Sequence, residues 1–275
     1  MRIALAQMQS GIDPQANAAA LVDAIRTAAD GGAAMLFSPE MSGLLDRDRA
    51  RASAHIRSED QDVVLAQVRE AAAKQGIWVA LGSLALKGGS EGRLVNRSFL
   101  IDSAGAVRAR YDKMHLFDVD LPSGESWRES AAYAPGLETV VADTPVGRLG
   151  LSICYDLRFP ALYAALSAAG ATVLSIPAAF TVPTGRAHWH VLMRARAIEN
   201  AAWVIAAAQT GQHEDGRTTY GHSLVVDPWG EVVLDMGEAP GVGFAEIDPA
   251  RGDEVRSQIP VLSHRRAVPG ALVVS

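Results

Sequence analysis

Residues 223–247 read SLVVDPWGEVVLDMGEAPGVGFAEI, and their reading decides the fold. The runs Ser223–Val226, Glu231–Leu234 and Val242–Ile247 each suit a short strand. Asp227-Pro-Trp-Gly230 suits a tight turn, because proline presets φ and glycine tolerates a positive one. No helix separates these strands, whereas neighbouring parallel strands need a crossover of about a dozen or more residues. Working backwards, the sequence predicts strands at Leu149–Ile153, Thr172–Ile176 and Ala202–Ala208, with helices near Pro160–Ala169 and Gly185–Asn200 between them. Nearer the N-terminus it predicts strands Arg2–Gln9, Ala34–Ser38 and Ile77–Leu84, helices near Asn17–Ala29 and Gln61–Gln75, and a hairpin pairing Leu94–Ile101 with Val107–Tyr111. Strands outnumber crossover helices. The expectation is an α/β fold of two mixed sheets facing each other with helices outside, in one domain spanning 1–275. The polar stretch 118–136 has no clear period and is long for a connection inside a compact domain, which suits a functional loop.

Composition narrows the partners. With 275 residues, 49% of them apolar, the chain can bury a sizeable core. A net charge of −6 and the lack of a basic run argue against nucleic acid and favour a small-molecule substrate. The longest membrane-span candidate, Ala195–Gln209, is interrupted by Arg196, Glu199 and Asn200, so no membrane partner is expected. The N-terminus alternates like a strand and lacks the apolar core of a secretory leader, which points to the cytoplasm. Cys154 is the sole cysteine, so neither an internal disulfide nor a cysteine-based zinc site can form.

Chemistry therefore gathers on one thiol. Cys154 follows the apolar run Gly-Leu-Ser-Ile and precedes Tyr-Asp-Leu-Arg-Phe-Pro, where a strand turns toward a helix whose first turn holds Pro160. A nearby helix N-terminus would favour a thiolate. An ordinary thiol is only a few per cent ionised at neutral pH and needs a base or a cation. Glu40, after the apolar strand in Phe-Ser-Pro-Glu-Met, suits the base. Lys113, in Tyr-Asp-Lys-Met-His-Leu-Phe, suits an oxyanion stabiliser, with the Tyr155 backbone N–H as second donor.

These three segments, in this order and with 41 residues from Lys113 to Cys154, resemble the signatures of the nitrilase, or carbon–nitrogen hydrolase, superfamily. The resemblance covers nearly the whole chain. It implies a Glu40–Lys113–Cys154 triad, a four-layer αββα sandwich, a homodimer or higher homo-oligomer, and no metal or organic cofactor. It also implies that Glu129, in Arg-Glu-Ser, stands beside the lysine, where it would orient Lys113 and keep it charged. The segments Pro-Thr-Gly-Arg-Ala-His-Trp-His, Arg-Ala-Arg-Ala-Ile-Glu-Asn and Tyr-Gly-His-Ser-Leu-Val-Val-Asp-Pro-Trp-Gly look like the Nit-type amidase branch, closest to deaminated glutathione amidases. The implied reaction converts a small carboxamide to a carboxylate and ammonia through a thioester on Cys154. Deaminated glutathione is the first substrate; 2-oxoglutaramate, another small amide or an N-carbamoyl compound is the alternative. Arg186 departs from the branch, whose members often carry proline before Ala-His-Trp.

Blander readings compete. A lone cysteine at a strand end is ordinarily a small buried hydrophobe, and the chain would then be a binding or redox-sensing protein using Cys154. His188 and His190 make a poor metal pair, since helix positions two apart do not share a face. His115 is expected to pack or hydrogen-bond beneath the Lys113 loop. Asp156 and Arg158 are read as fixing the turn after Cys154, with Arg158 alternatively meeting a substrate carboxylate. Arg186, Arg194 and Arg196 are either carboxylate readers or surface charges. Trp189, Trp203 and Trp229 suit core or interface anchors.

Overall fold

The computed structural model describes residues 1–120, 124 and 126–274. In chain order the strands are β1 (Arg2–Gln7), β2 (Met35–Phe37), β3 (Trp78–Lys87), β4 (Leu94–Ile101), β5 (Val107–Asp112), β6 (Asp118–Asp120), β7 (Ser126–Arg128) and β8 (Val141–Thr144). They continue as β9 (Gly147–Leu151), β10 (Val173–Ser175), β11 (Trp203–Ala206), β12 (Thr210–Gln212), β13 (Thr218–Tyr220), β14 (Leu224–Val226), β15 (Val232–Asp235) and β16 (Gly241–Glu246). The helices are α1 (Pro14–Asp30), α2 (Arg49–Ser53), α3 (Val63–Gln75), α4 (Pro160–Ala168), α5 (Val182–Asn200) and α6 (Arg251–Gln258).

Among the described residues, two six-stranded sheets form, in the orders β16-β1-β2-β3-β4-β5 and β15-β14-β11-β10-β9-β8. Each has three parallel strands at its centre, β1-β2-β3 and β9-β10-β11, flanked by antiparallel ones. The strand alternation builds the layers. On β1, Ile3 and Leu5 join the core shared by the two sheets, while Ala4 and Ala6 face the layer with Leu21, Ile25 and Val68 of α1 and α3. Small alanines on that face let the helices lie close. On the far side, Leu162 and Leu166 of α4 and Trp189 and Met193 of α5 cover the second sheet. The order is helices, sheet, sheet, helices, as expected.

Local chemistry sets the helix ends. Asp13 and Asp62 cap α1 and α3 with side-chain acceptors, and Gly76 closes α3 at φ 64°. Helix α5 begins at Val182, earlier than the expected Gly185, because Pro183 is compatible with a first turn that needs no N–H. Strands β8, β12 and β13 and helices α2 and α6 were not foreseen. Their mixed polarity leaves no clear period: the burial of β8 is only partial. The stretch 118–136 contains the β6–β7 hairpin and a short 3-10 turn at Glu129–Ala131, while its residues 121–123 and 125 lie outside the described residues.

Candidate active site

The two sheets present their ends to one cavity of about 920 Å³. Glu40 stands three residues beyond β2, Cys154 three beyond β9, and Lys113 directly after β5. All three line the cavity, with Glu129 and Tyr155. This is the C-terminal side of the parallel strands, where open α/β sheets leave a crevice.

A bulge in β3 fixes Glu40. The pairing of β3 with β4 shifts between Leu81 and Leu84, and a Cβ on Gly82 would stand 2.1 Å from the Ser38 carbonyl oxygen and 2.3 Å from that of Pro39. Only glycine permits that approach. Ser83 then accepts Met41 N–H on its hydroxyl at 2.9 Å, and Ser42 N–H on its carbonyl at 3.0 Å. Gln209 Nε2 donates to the Glu40 carbonyl at 3.0 Å. The turn is therefore held from both sheets.

The charged groups form one cluster. Lys113 Nζ donates to Glu40 Oε1 at 2.8 Å and to Glu129 Oε2 at 2.9 Å. Asn96 Nδ2 spans the same two carboxylates, at 2.9 Å to Glu40 Oε1 and 3.3 Å to Glu129 Oε1. Ala179 N–H donates to Glu40 Oε2 at 3.0 Å, and Phe117 N–H to Glu129 Oε2 at 2.7 Å. The Lys113 side chain is only 3% exposed. Burial alone would lower its pKa, but the carboxylates of Glu129 and Glu40 outweigh that and hold it well above the ordinary lysine range. The lysine stays charged.

Cys154 sits at a strained corner. Its φ is 50°, a left-handed conformation that costs a non-glycine residue about 1–3 kcal/mol. The corner is locked by its own N–H on the Pro177 carbonyl at 2.8 Å and by Asp156, which accepts Ile153 N–H at 2.9 Å. The same carboxylate accepts the Tyr111 hydroxyl at 2.7 Å and His115 N–H at 2.9 Å. Fully buried Asp156 thus couples the Cys154 corner to the Lys113 loop. His115 stacks on Phe159 with centroids 3.7 Å apart, in the packing role expected of it. Burial, and then the neighbouring Glu40 carboxylate, push the Cys154 thiol well above its ordinary range, against a weaker pull from Lys113. The Glu40 carboxylate is the nearest acidic group to that thiol. Tyr155 N–H makes no hydrogen bond to a described residue.

Arg158 and Asp156 separate. Arg158 lines the cavity, its guanidinium 5.6 Å from the Phe180 ring centroid, 5.9 Å from that of Tyr155 and 3.3 Å from His188 Nδ1, with no carboxylate partner among the described residues. Arg47 also lines it without such a partner. By contrast Arg186, Arg194 and Arg196 do not line the cavity: Arg194 donates to the Gly230 carbonyl at 2.7 Å, and buried Arg196 to that of Leu157 at 2.8 Å. The departure at Arg186 therefore leaves the cavity wall alone. Sequence reasoning missed Asn96, Gly82, Arg47 and Tyr133, whose phenol is pushed up by burial and by Glu129 and Glu40. Only Asn96 carried a signal, as a polar residue inside the expected strand Leu94–Ile101.

Comparison with known proteins gives a consistent picture. The carbon-nitrogen hydrolase family model matches residues 2–257. A deaminated glutathione amidase of Yersinia enterocolitica is 41% identical over 97% of this chain and 93% of its own length. The nitrilase and fragile histidine triad fusion protein NitFhit of Caenorhabditis elegans is 44% identical over 96% of this chain, which spans 60% of that fusion. Its crystal structure superposes with a TM-score of 0.89, covering 96% of this chain and 65% of that one. A glutamate-to-glutamine mutant of the amidase from Nesterenkonia sp. AN1, with the acetamide moiety of fluoroacetamide covalently added at the active-site cysteine, superposes with a TM-score of 0.81. It is 30% identical, over 97% of this chain and 94% of that one.

Proposed function

The chain belongs to the carbon–nitrogen hydrolase family and hydrolyses amides, and from that premise we propose that Cys154 is the nucleophile, Glu40 the proton acceptor and Lys113 the oxyanion stabiliser. The observation that carries the assignment is the buried Lys113 ammonium held between Glu40 and Glu129 beside the Cys154 corner. As the sulfur attacks the amide carbon, Glu40 takes the thiol proton. Lys113 and Tyr155 N–H stabilise the oxyanion. Glu40 returns its proton to the leaving nitrogen, then takes one from the water that cleaves the thioester, and the sulfur recovers it. Glu129 and Asn96 touch Lys113 or Glu40 and keep both aimed.

Deaminated glutathione is the substrate we favour, on the likeness to the Yersinia amidase. Its scissile amide joins a 2-oxo acid to cysteinylglycine, so the leaving group is the dipeptide amine. Ammonia, expected from sequence, leaves from the alternative 2-oxoglutaramate and not from deaminated glutathione. Each substrate gives 2-oxoglutarate, and both carry a carboxylate for Arg158 or Arg47 to meet. Release of 2-oxoglutarate from the two compounds, by wild type and Cys154→Ala, tests the assignment. Faster Cys154-dependent release from deaminated glutathione supports it, equal or faster release from 2-oxoglutaramate favours the alternative, and neither leaves another amide or N-carbamoyl compound. A redox-sensing protein would instead keep its oxidation response in Glu40→Gln.

The same reading treats residues 1–275 as one domain, since the two sheets share a core. No helix among the described residues is long and apolar enough to cross a membrane, and a nucleophile that must stay reduced suits the cytoplasm. A homodimer is favoured by apolar side chains left in solvent: Val191 and Ile198 on one face of α5, and Trp229, Val232 and Val233 nearby in sequence to Gly230, which Ile198 approaches. Light scattering on the eluting protein decides it; a 29.0 kDa species would overturn it.

A further inference from the structure

Away from the cavity, three elements bring together His190 of α5, His222 between β13 and β14, and Asp235 at the end of β15. His190 Nε2 and His222 Nδ1 lie 3.0 Å and 3.1 Å from the same oxygen, Asp235 Oδ2, and His222 Nδ1 is also 2.9 Å from Oδ1. One ligand atom from each residue falls within 4.8 Å of the others. A tetrahedral zinc centre with bonds of about 2.0–2.2 Å needs its ligand atoms roughly 3.3–3.5 Å apart. Two of the spacings are already close to that, and His190 and His222 retain side-chain exposures of 35% and 21%, so an ion can enter and a ring can close the third.

The arrangement is also stiff where it needs to be. His222 holds a left-handed backbone with φ 55°, unusual for a residue with a Cβ. Its N–H donates to the Gly237 carbonyl at 2.7 Å, its own carbonyl accepts the Trp189 indole N–H at 2.8 Å, and Gly237 N–H donates to Asp235 Oδ1 at 2.9 Å. Tyr220 stacks on the His222 ring with centroids 4.4 Å apart. His222 and Asp235 are therefore each oriented by a neighbour, as metal-binding side chains usually are, and Tyr220 also meets the His190 ring edge-on with centroids 6.3 Å apart. His188 faces elsewhere, toward Arg158 at 3.3 Å, so the helix separates the two histidines as their spacing requires.

We propose that His190, His222 and Asp235 bind a divalent transition ion such as Zn²⁺, with one position left for water. The ion would replace the hydrogen bonds that now join the two imidazoles through the carboxylate. It would tie α5 to the β14–β15 edge and, through Tyr220, steady β13, whose Thr218 and Thr219 line the cavity. The site is structural and independent of the amide chemistry.

Cobalt(II) titration of tag-free protein tests it, with Cys154→Ala in parallel to remove the only thiol. The expected result is a saturable visible spectrum at one ion per chain, without a thiolate charge-transfer band, reversed by Zn²⁺ and unchanged in Cys154→Ala. His190→Ala, His222→Ala and the isosteric Asp235→Asn should each weaken binding at least tenfold, His188→Ala should not, and Zn²⁺ should raise the Tm of wild type but not of Asp235→Asn. Should His222→Ala misfold, Asp235→Asn carries the comparison. No saturable spectrum, or one that Asp235→Asn and His190→Ala leave intact, overturns the proposal.

Discussion

Lys113 and Asp235 are centres of opposite design: a cation between two carboxylates in the interior, and a carboxylate between two imidazoles near the surface. The Lys113 cluster has side-chain exposures of 3%, 6% and 12%, the Asp235 cluster 35%, 33% and 21%. Buried charges of one sign cannot be left unpaired, so the first cluster is locked into one state and suits catalysis that needs a fixed field. The second cluster is open to solvent, so it suits a ligand that enters from water. Similar hydrogen-bond lengths in the two places therefore carry different energies.

The largest effect should come from the interior. Cys154→Ala and Glu40→Gln should each lower turnover at least about 10³-fold with the circular dichroism spectrum unchanged; a Glu40→Gln enzyme keeping a tenth of wild-type activity would remove Glu40 from the base role. Lys113→Met leaves Glu40 and Glu129 facing each other without a cation. It should cost about 3–5 kcal/mol in urea unfolding, as breaking buried pairs does, and adding Glu129→Gln should restore part of that. If Lys113→Met costs no more than a surface substitution, the contrast between the clusters collapses.

Gly82→Ala tests the backbone that carries Glu40. It should lower kcat/KM by about 10²-fold, the cost of roughly an ångström of misplacement, and leave the Asp235 cluster's metal response intact. Unchanged kinetics would show that the bulge is not what aims the carboxylate.

Smaller effects follow pH. The native Cys154 and Lys113 values both lie above their unfolded ones, so their contributions are complete at low pH and decline as pH rises past the unfolded values of about 8.5 and 10.4. Between roughly pH 8.5 and 10 only the thiol contributes, and wild type should lose stability relative to Cys154→Ala in denaturant titrations there; a constant gap would mean that the native thiol ionises normally. Asp235 has the opposite sign. Its burial pulls upward, but hydrogen bonds from His190, Gly237 N–H and His222 leave its pKa lowered. Its contribution is present above the unfolded value of about 3.9 and fades as pH falls through the native one. Without added metal, Asp235→Asn should cost under about 1 kcal/mol at neutral pH, with the difference vanishing in acid.

Legibility in the sequence followed locality. Glu40, Lys113 and Cys154 each sit in a stretch whose own pattern marks a strand end, and the long strands and helices carry strong periodicity. Asn96 and the Ala179 N–H matter only because distant segments meet, and no local pattern announces a partner 56 residues away, as for Asn96 with Glu40. The upward push on the Cys154 thiol was hidden for a related reason: a helix terminus is visible locally, whereas burial against Glu40 is a property of the assembled core. The His190 cluster was missed because its ligands come from three elements, and the adjacent pair that sequence offers is the wrong pair.

Strand β1 is paired on one side with β2 and on the other with β16. During synthesis, β1 waits for residues 241–246 before both of its edges are paired. At about 5–20 residues per second that interval is about 12–48 s. Throughout it the backbone of Arg2–Gln7 has an unpaired edge, open to pairing with a strand of another chain until its own last strand arrives.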